Sequence, residues 1–184
     1  MQIPRIYLIF SIFVTLMSTL LLHPNSQALA QEQFLTYENP ESGISILYPS
    51  NWEKLANLDN FVTFTAPPET DTRIYPAALG LKVQELSSQN IPLQEITKVQ
   101  MSDLKKSNPD LNVLESTPTT IAGKPAHKIV FSAMDNEEVK RKAMQVWTAI
   151  GNKAVLITYK ADPDRFSSYL PTIERMIDSF KVIE

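Results

Sequence analysis

The segment FLTYENPESGISILYPSNWEKL, residues 34 to 55, decides the fold of this chain. It begins with an apolar stretch that runs to Tyr37, which Asn39-Pro40-Glu41-Ser42-Gly43 then interrupts. Proline presets a backbone φ of about −65° and glycine adopts positive φ, so this run has the chemistry of a tight turn. The first half of the segment therefore predicts a strand followed by a turn.

The second half of the segment predicts another strand. Ile44, Ile46 and Tyr48 recur at every second position, which places their side chains on one face of a strand. Pro49 ends this strand because proline has no N–H to donate to a neighbour. Trp52 follows and provides a large apolar body for the core. The whole segment is thus predicted to be a β-hairpin with an aromatic anchor.

Most of the chain after this hairpin also has the pattern of strands, with short runs of aromatic and β-branched residues. Residues 53–60 are predicted to be a polar connector in which Leu55 and Leu58 face inward. Gly151-Asn152 is typical of a two-residue hairpin turn, which makes the flanking strands antiparallel neighbours. The predicted strands are Phe61–Thr65, Ala77–Leu86, Leu111–Thr120, Ala126–Met134, Val139–Ile150, Ala154–Lys160 and a short one within Phe180–Ile183.

Two segments have the spacing of amphipathic helices. The first begins near Asn90–Pro92 and ends at Asn108-Pro109. The second begins at Asp162-Pro163-Asp164, where the first carboxylate is predicted to cap the helix, and it contains Pro171. The apolar stripe of the first helix is formed by Leu93, Ile96, Met101 and Leu104. Many strands with two inserted helices predict the α+β class.

The first thirty residues are predicted to be a signal peptide. Arg5 precedes the predominantly apolar run Ile6–Leu22, and Ala28-Leu29-Ala30 has the small-residue pattern of a cleavage site. The run is near the lower limit of about 17 residues for a bilayer-spanning helix, so an uncleaved anchor is the alternative. We expect a single domain at residues 31–184, located in the periplasm, in the thylakoid lumen or outside the cell.

The composition excludes several kinds of chemistry. A formal net charge of −3 argues against non-specific nucleic-acid binding, and the absence of cysteine excludes thiol catalysis and lipidation at a signal-peptide cysteine. His127 is the one histidine after residue 30, and no G-x-S-x-G nucleophile motif or glycine-rich phosphate-binding motif is present. We predict a structural role for His127, no catalytic residue, no metal site and no cofactor.

The sequence DNEEVKRK, residues 135–142, places acidic and basic side chains together at the tip of a predicted hairpin. One interpretation is a solvated hairpin, and calcium binding by its acidic residues is another. A third is a docking surface on which the two signs of charge set the register of a protein partner. The residues of this predicted docking surface are Asp135, Glu137, Glu138, Lys140, Arg141 and Lys142.

The opening pattern of Tyr37, Gly43-Ile44-x-Ile46-x-Tyr48-Pro49 and Trp52 resembles that of the PsbP family, the extrinsic lumenal proteins of photosystem II and their relatives. The C-terminal meander, with a helix ending in Asp178-Ser179-Phe180, is also similar. The resemblance implies an α/β/α sandwich with a central antiparallel sheet and flanking helices. It also implies a non-catalytic extrinsic protein that binds a membrane complex and, in photosystem II, supports calcium and chloride retention.

The chain departs from the family pattern in two ways. The predicted domain begins at Phe34, soon after the predicted cleavage site, so we expect no long N-terminal arm, and the lipid-anchoring cysteine of cyanobacterial relatives is missing. We therefore predict an exported, non-enzymatic protein, peripheral to the membrane and monomeric when free, that binds or scaffolds a membrane-attached complex. The alternatives are a photosystem II subunit, and a small-molecule carrier or carboxylate-based hydrolase with a cleft beside the loop Ala66–Pro76.

Overall fold

The computed structural model describes residues 32–57, 60–71, 75–88, 91–135 and 138–183. The predicted signal peptide lies outside the described residues. So do Leu58, which was predicted to face inward, and Glu137 of the predicted docking surface. In order, the described elements are β1 (Phe34–Asn39), β2 (Ile44–Pro49), β3 (Glu53–Asn57), β4 (Phe61–Thr65), β5 (Ala78–Glu85), α1 (Leu93–Ser107), β6 (Asn112–Ile121), β7 (Lys124–Met134), β8 (Lys140–Ile150), β9 (Lys153–Ala161), α2 (Phe166–Asp178) and β10 (Lys181–Val182).

The strands form two antiparallel sheets. Seven strands lie in the order β3-β4-β5-β9-β8-β7-β6, and the smaller sheet has the order β1-β2-β10. Every pairing is antiparallel. Helices α1 and α2 pack on the larger sheet, in agreement with the contacts of α1 with β7 and β8 and of α2 with β9. The predicted α+β class, with an antiparallel sheet and flanking helices, is confirmed.

The opening hairpin forms as predicted, but it does not join the central sheet. Gly43 has a φ of +66° in the turn, and its N–H donates to the carbonyl of Pro40 at 3.2 Å. The C-terminal strand β10 pairs with β2, and the N–H of Ile183 donates to the carbonyl of Gly43 at 2.9 Å. The hairpin is thus completed by residues at the other end of the chain, which its own sequence does not reveal.

One face of the seven-stranded sheet is covered by α2 and by the three-stranded sheet. Leu79, Leu81 and Val83 alternate along β5 and are all buried there. Tyr159 and Ile173 are fully buried in the same cluster, and the hydroxyl of Tyr159 donates to the carbonyl of Phe166 at 2.9 Å. We refer to this side as the α2 face.

The opposite side of the same sheet, the α1 face, is covered by one helix. Ile96 and Leu104 of α1 are buried against the sheet beside Phe131 and Trp147. The indole N–H of Trp147 donates to the hydroxyl of Thr97 at 2.9 Å, which satisfies a polar group that the helix buries. Strand β8 contributes residues to both faces of the sheet, because consecutive strand residues point to opposite sides.

Two local expectations were wrong. Residues 53–57 form the edge strand β3 instead of a connector, and Leu55 is 52% exposed because this edge of the sheet lies away from the strands that α1 contacts. Asp162 does not cap α2. Its carboxylate accepts the N–H of Asp164 at 3.0 Å in a local turn, and the residue before the helix is Arg165, which makes no side-chain cap.

Candidate functional site

Among the described residues of the predicted docking surface, Arg141 and Lys142 lie on opposite faces of the sheet. Arg141 lies on the α1 face, whereas Lys142 lies on the α2 face with its Nζ 4.5 Å from the centre of the Phe166 ring. Glu138 and Lys140 are exposed at the end of the hairpin, and Glu138 has a φ of +58°. Arg141 and Lys142 are adjacent in sequence, but successive side chains of a strand point to opposite faces, so the two lie on different sides of the sheet.

Asp135 and Arg141 form a hydrogen-bonded ion pair at the base of this hairpin. The Nε of Arg141 donates to Oδ2 of Asp135 at 2.8 Å, and Oδ1 of Asp135 accepts the N–H of Val139 at 2.9 Å. The Arg141 side chain is only 12% exposed. The ring of Tyr75 covers its guanidinium, with the central carbon 3.6 Å from the ring centre. Arg141 is therefore a buried cation held by one carboxylate and one aromatic ring.

The two terminal nitrogens of Arg141 are buried and have no hydrogen-bond partner among the residues that the structure describes. A guanidinium has five N–H donors, and the contact with Asp135 through Nε leaves the four at the terminal nitrogens unsatisfied. Leaving a buried donor unpaired costs about 1–3 kcal/mol, and more where the group is charged. Such a group in a folded protein indicates a place where a water molecule, an ion or a ligand completes the hydrogen bonding.

A cavity of about 270 Å³ lies beside this guanidinium. Its walls combine the apolar side chains of Phe131, Ala133 and Ala143 with the polar groups of Asn108 and Lys160. A neighbouring depression of about 400 Å³ shares Asn108, Phe131 and Lys160 and extends along α1. The two together form a groove on the α1 face, next to the C-terminal end of the helix.

The loop that begins at Ala66 contributes to this cavity at its far end, through Tyr75 and Pro76. The near end of the loop is attached to α2, because Glu69 pairs with Arg165 at 2.9 Å and accepts the hydroxyl of Tyr169 at 3.4 Å. Burial, followed by the charge of Glu69, raises the pKa of Tyr169. A cavity thus lies beside the far end of the loop, at Tyr75 and Pro76.

His127 has a structural environment. Its ring lies 5.1 Å from the ring of Trp147, centre to centre, with the two planes inclined by 30°. Its Nε2 is 2.9 Å from the hydroxyl of Ser116, an exposed residue on the edge strand β6. Stacking on the core tryptophan and a hydrogen bond across two strands explain the position of this histidine.

Two further observations concern membranes and metals. Within the described ranges, no helix has the length and apolar character that crossing a bilayer requires. Among the same residues, histidine and carboxylate side chains do not gather in any group of three that could hold a metal ion. Asp135, one of the acidic residues considered for calcium, is instead engaged by Arg141.

The fold is an α+β sandwich whose seven-stranded antiparallel sheet carries a helix on each face. The sequence matches the family described as PsbP-like protein over residues 18–182, and the chain belongs to that family. The resemblance of the opening hairpin to this family is thereby confirmed. Comparison with curated proteins gives no sequence match.

Solved structures with the same fold come from distant organisms. Cyanobacterial PsbP (CyanoP) from Synechocystis has a TM-score of 0.61 at 14% identity, covering 84% of this chain and 95% of its own. LpqN of Mycobacterium tuberculosis, involved in cell envelope biogenesis, has a TM-score of 0.61 at 13% identity, with coverages of 84% and 92%. The Ran-binding protein Mog1p of Saccharomyces cerevisiae has a TM-score of 0.58 at 10% identity, with coverages of 83% and 97%. These likenesses show the fold alone.

Sequence reasoning missed three residues of this site: Tyr75, Asn108 and Lys160. Tyr75 lies in the loop before β5, Asn108 follows the last residue of α1, and Lys160 lies in β9. No local sequence pattern connects these three positions. The sequence did contain a signal for the face on which Arg141 lies. Arg141 is two residues before Ala143 and six before Trp147, so strand alternation places all three side chains on the same face.

Proposed function

We propose that this chain is an exported, non-enzymatic PsbP-like protein that binds or scaffolds a membrane-attached complex outside the cytoplasm. The observation that supports this proposal best is an apolar pair at the rim of the groove. Tyr75 is 43% exposed and Met134 is 49% exposed, and both line the same cavity. Aromatic residues and methionine are enriched where proteins bind one another.

Charged side chains lie near this pair, since Lys140 pairs with Met134 between β7 and β8 and Lys160 lines the same cavity. Glu138, Lys140 and Lys160 are all exposed, whereas Asp135 is occupied by Arg141. An apolar centre with a charged rim is the usual anatomy of a protein interface, and a rim with both signs of charge favours one register of the partner. We call Tyr75, Met134, Glu138, Lys140 and Lys160 the hairpin surface.

The relatives also support a binding role. A yeast protein with this fold is described as Ran-binding, so the fold is compatible with a protein-binding surface. The family described as PsbP-like takes its name from the extrinsic proteins of photosystem II, and cyanobacterial PsbP has the same fold. We infer a macromolecular partner, contacted through the part of the docking prediction that is exposed.

A crosslinking experiment tests the proposal. The tagged protein is crosslinked in intact cells and purified, and its companions are identified by mass spectrometry. In the test variant Glu138→Lys is combined with Lys140→Glu, which keeps the net charge. The matched control combines Glu41→Lys with Lys181→Glu, two exposed residues at the three-stranded sheet.

We expect the unchanged protein and the control to capture the same membrane complex, and the test variant to lose most of it. Retention of the complex by the test variant would move the interface away from the hairpin surface. Absence of any companion in all three samples would contradict the scaffold role. Capture of photosystem II would support the alternative of a photosystem II subunit.

A further inference from the structure

We propose that the cavity beside Arg141 is a carboxylate-binding site for an acid with a small apolar group. The inference goes beyond the proposed partner, because it assigns a ligand chemistry to the cavity whether or not a protein supplies the acid. It is based on the unsatisfied donors of Arg141, on the charges around the cavity and on its apolar walls.

The donors of Arg141 define the type of ligand. Its two terminal nitrogens are buried and find no hydrogen-bond partner in the described part of the chain, while Nε is already bound to Asp135 at 2.8 Å. A ligand that completes this site must therefore bring acceptor atoms only. The planar edge of a guanidinium matches the two oxygens of a carboxylate, which it binds through parallel hydrogen bonds.

The charges lining the cavity define the charge of the ligand. Among the described residues that line it, Arg141 and Lys160 are basic and Asp135 is acidic, which gives this lining a net charge of +1. One carboxylate balances this charge. A doubly charged phosphate would exceed this charge and leave one excess negative charge beside Asp135. That charge would also lie near the negative C-terminal end of α1, where Asn108 follows the helix.

The walls of the cavity define the rest of the ligand. Phe131, Ala133 and Ala143 are nearly fully buried and present apolar surface. Pockets that enclose drug-sized ligands have volumes of about 300–1,000 Å³. The volume of about 270 Å³ is smaller, so it accommodates a carboxylate with a short apolar or aromatic substituent.

Tyr75 controls access to the guanidinium. Its ring lies 3.6 Å from the central carbon of Arg141 and covers the buried nitrogens, while the Tyr75 side chain itself is 43% exposed. Because the terminal nitrogens are buried, a carboxylate reaches them only when this ring moves aside. The carboxylate then accepts hydrogen bonds in the plane of the guanidinium, along the edge formed by the two terminal nitrogens.

Paired probes test the carboxylate directly. Purified exported protein is titrated with phenylacetate and with its neutral analogue phenylacetamide, and binding is followed by calorimetry and by NMR of the arginine side chains. We expect phenylacetate to bind at least tenfold more tightly and to shift the Arg141 guanidinium signal. Equal affinity for the two probes, or no binding of phenylacetate, would overturn the proposal.

Variants locate the site. Arg141→Gln and the control Lys142→Gln remove the same charge from neighbouring positions, but only Arg141 lines the cavity. We expect Arg141→Gln to weaken phenylacetate binding at least tenfold and Lys142→Gln to leave it within twofold. Arg141→Lys keeps the charge without the planar edge, and we expect intermediate affinity. Equal loss in both glutamine variants would indicate a general charge effect and refute the site.

A peptide arm identifies the source of the acid. N-acetylphenylalanine and its C-terminal amide reproduce the end of a protein chain with and without its carboxylate. Tighter binding of N-acetylphenylalanine than of phenylacetate indicates a carboxylate from a protein terminus, and the opposite order indicates a free small acid. Because this measurement needs no partner, its failure is distinguishable from failure of the crosslinking experiment.

Discussion

The two faces of the seven-stranded sheet are built from the same strands, yet they are covered in different ways. The α2 face lies under a helix and a second sheet, and Leu79, Tyr159 and Ile173 on that side have no exposed surface. The α1 face lies under a single helix. Beyond the end of that helix the sheet presents Arg141 and Lys160 in a groove.

The difference separates stability from function. Apolar burial concentrated on the α2 face stabilises the fold in proportion to the area removed from water. The α1 face buries a smaller apolar cluster. It also contains a buried guanidinium with unsatisfied donors, which lowers the stability of the fold unless a ligand completes its hydrogen bonds. We therefore expect substitutions on the α2 face to affect mainly folding, and substitutions in the groove to affect mainly binding.

Matched isoleucine truncations should show the largest difference. Ile173→Ala on the α2 face is expected to lower the free energy of unfolding by about 3–5 kcal/mol, since truncation of a fully buried side chain leaves a cavity. Ile96→Ala on the inner side of α1 is expected to lower it by about 2–3 kcal/mol, because the smaller cluster around it relaxes more easily. Urea denaturation measures both. An equal or larger loss for Ile96→Ala would contradict the proposed difference between the faces.

A second prediction concerns the attachment of α1. Thr97→Val removes the acceptor of the Trp147 indole N–H and leaves a buried donor unpaired. We expect a loss of about 1–3 kcal/mol, together with faster amide hydrogen exchange in α1 than in α2. Thr97→Ser keeps the hydroxyl and serves as the control. Equal exchange in the two helices would show that this hydrogen bond does not hold the helix.

The third prediction uses alkaline pH to examine the α2 face. Burial raises the pKa of Tyr159 well above its ordinary value of 10. A raised pKa means that stability is fully present below about pH 10 and is lost as the pH rises above it, because the unfolded chain releases its proton first. Tyr159→Phe should cost about 1 kcal/mol at neutral pH and flatten the alkaline decline. An unchanged decline in unfolding experiments above pH 10 would refute this assignment.

The smallest effect is expected at the edge of the sheet. The Lys128 ammonium lies 2.7 Å from Glu115, and the resulting hydrogen bond lowers the pKa of the Glu115 carboxyl from its ordinary 4.5. The stability due to this pair is present above about pH 4.5 and is lost as the pH falls further through the lowered pKa. Both side chains are partly exposed, so Glu115→Gln should change stability by less than about 1 kcal/mol. Thermal unfolding between pH 3 and pH 7 measures it.

The sequence predicted much of the fold because strand and helix periodicity are local properties. The shared face of Ile44, Ile46 and Tyr48 followed from alternation alone, and the turn at Gly43 followed from its residue types. The candidate site was less accessible. The run DNEEVKRK was predicted to lie at a hairpin tip, and β7 and β8 form that hairpin, but the strand geometry placed Arg141 and Lys142 on opposite faces.

The sequence by itself determined the strand-rich α+β class, the amphipathic helices and the resemblance of the opening hairpin to the PsbP family, since each depends on residues close together in the chain. Tertiary structure alone decided that β10 completes the opening hairpin and that Tyr75, Asn108 and Lys160 meet Arg141 at one cavity. These contacts join residues far apart in sequence. Their positions depend on how the strands pair and on how far α1 extends over the sheet, which no local pattern specifies.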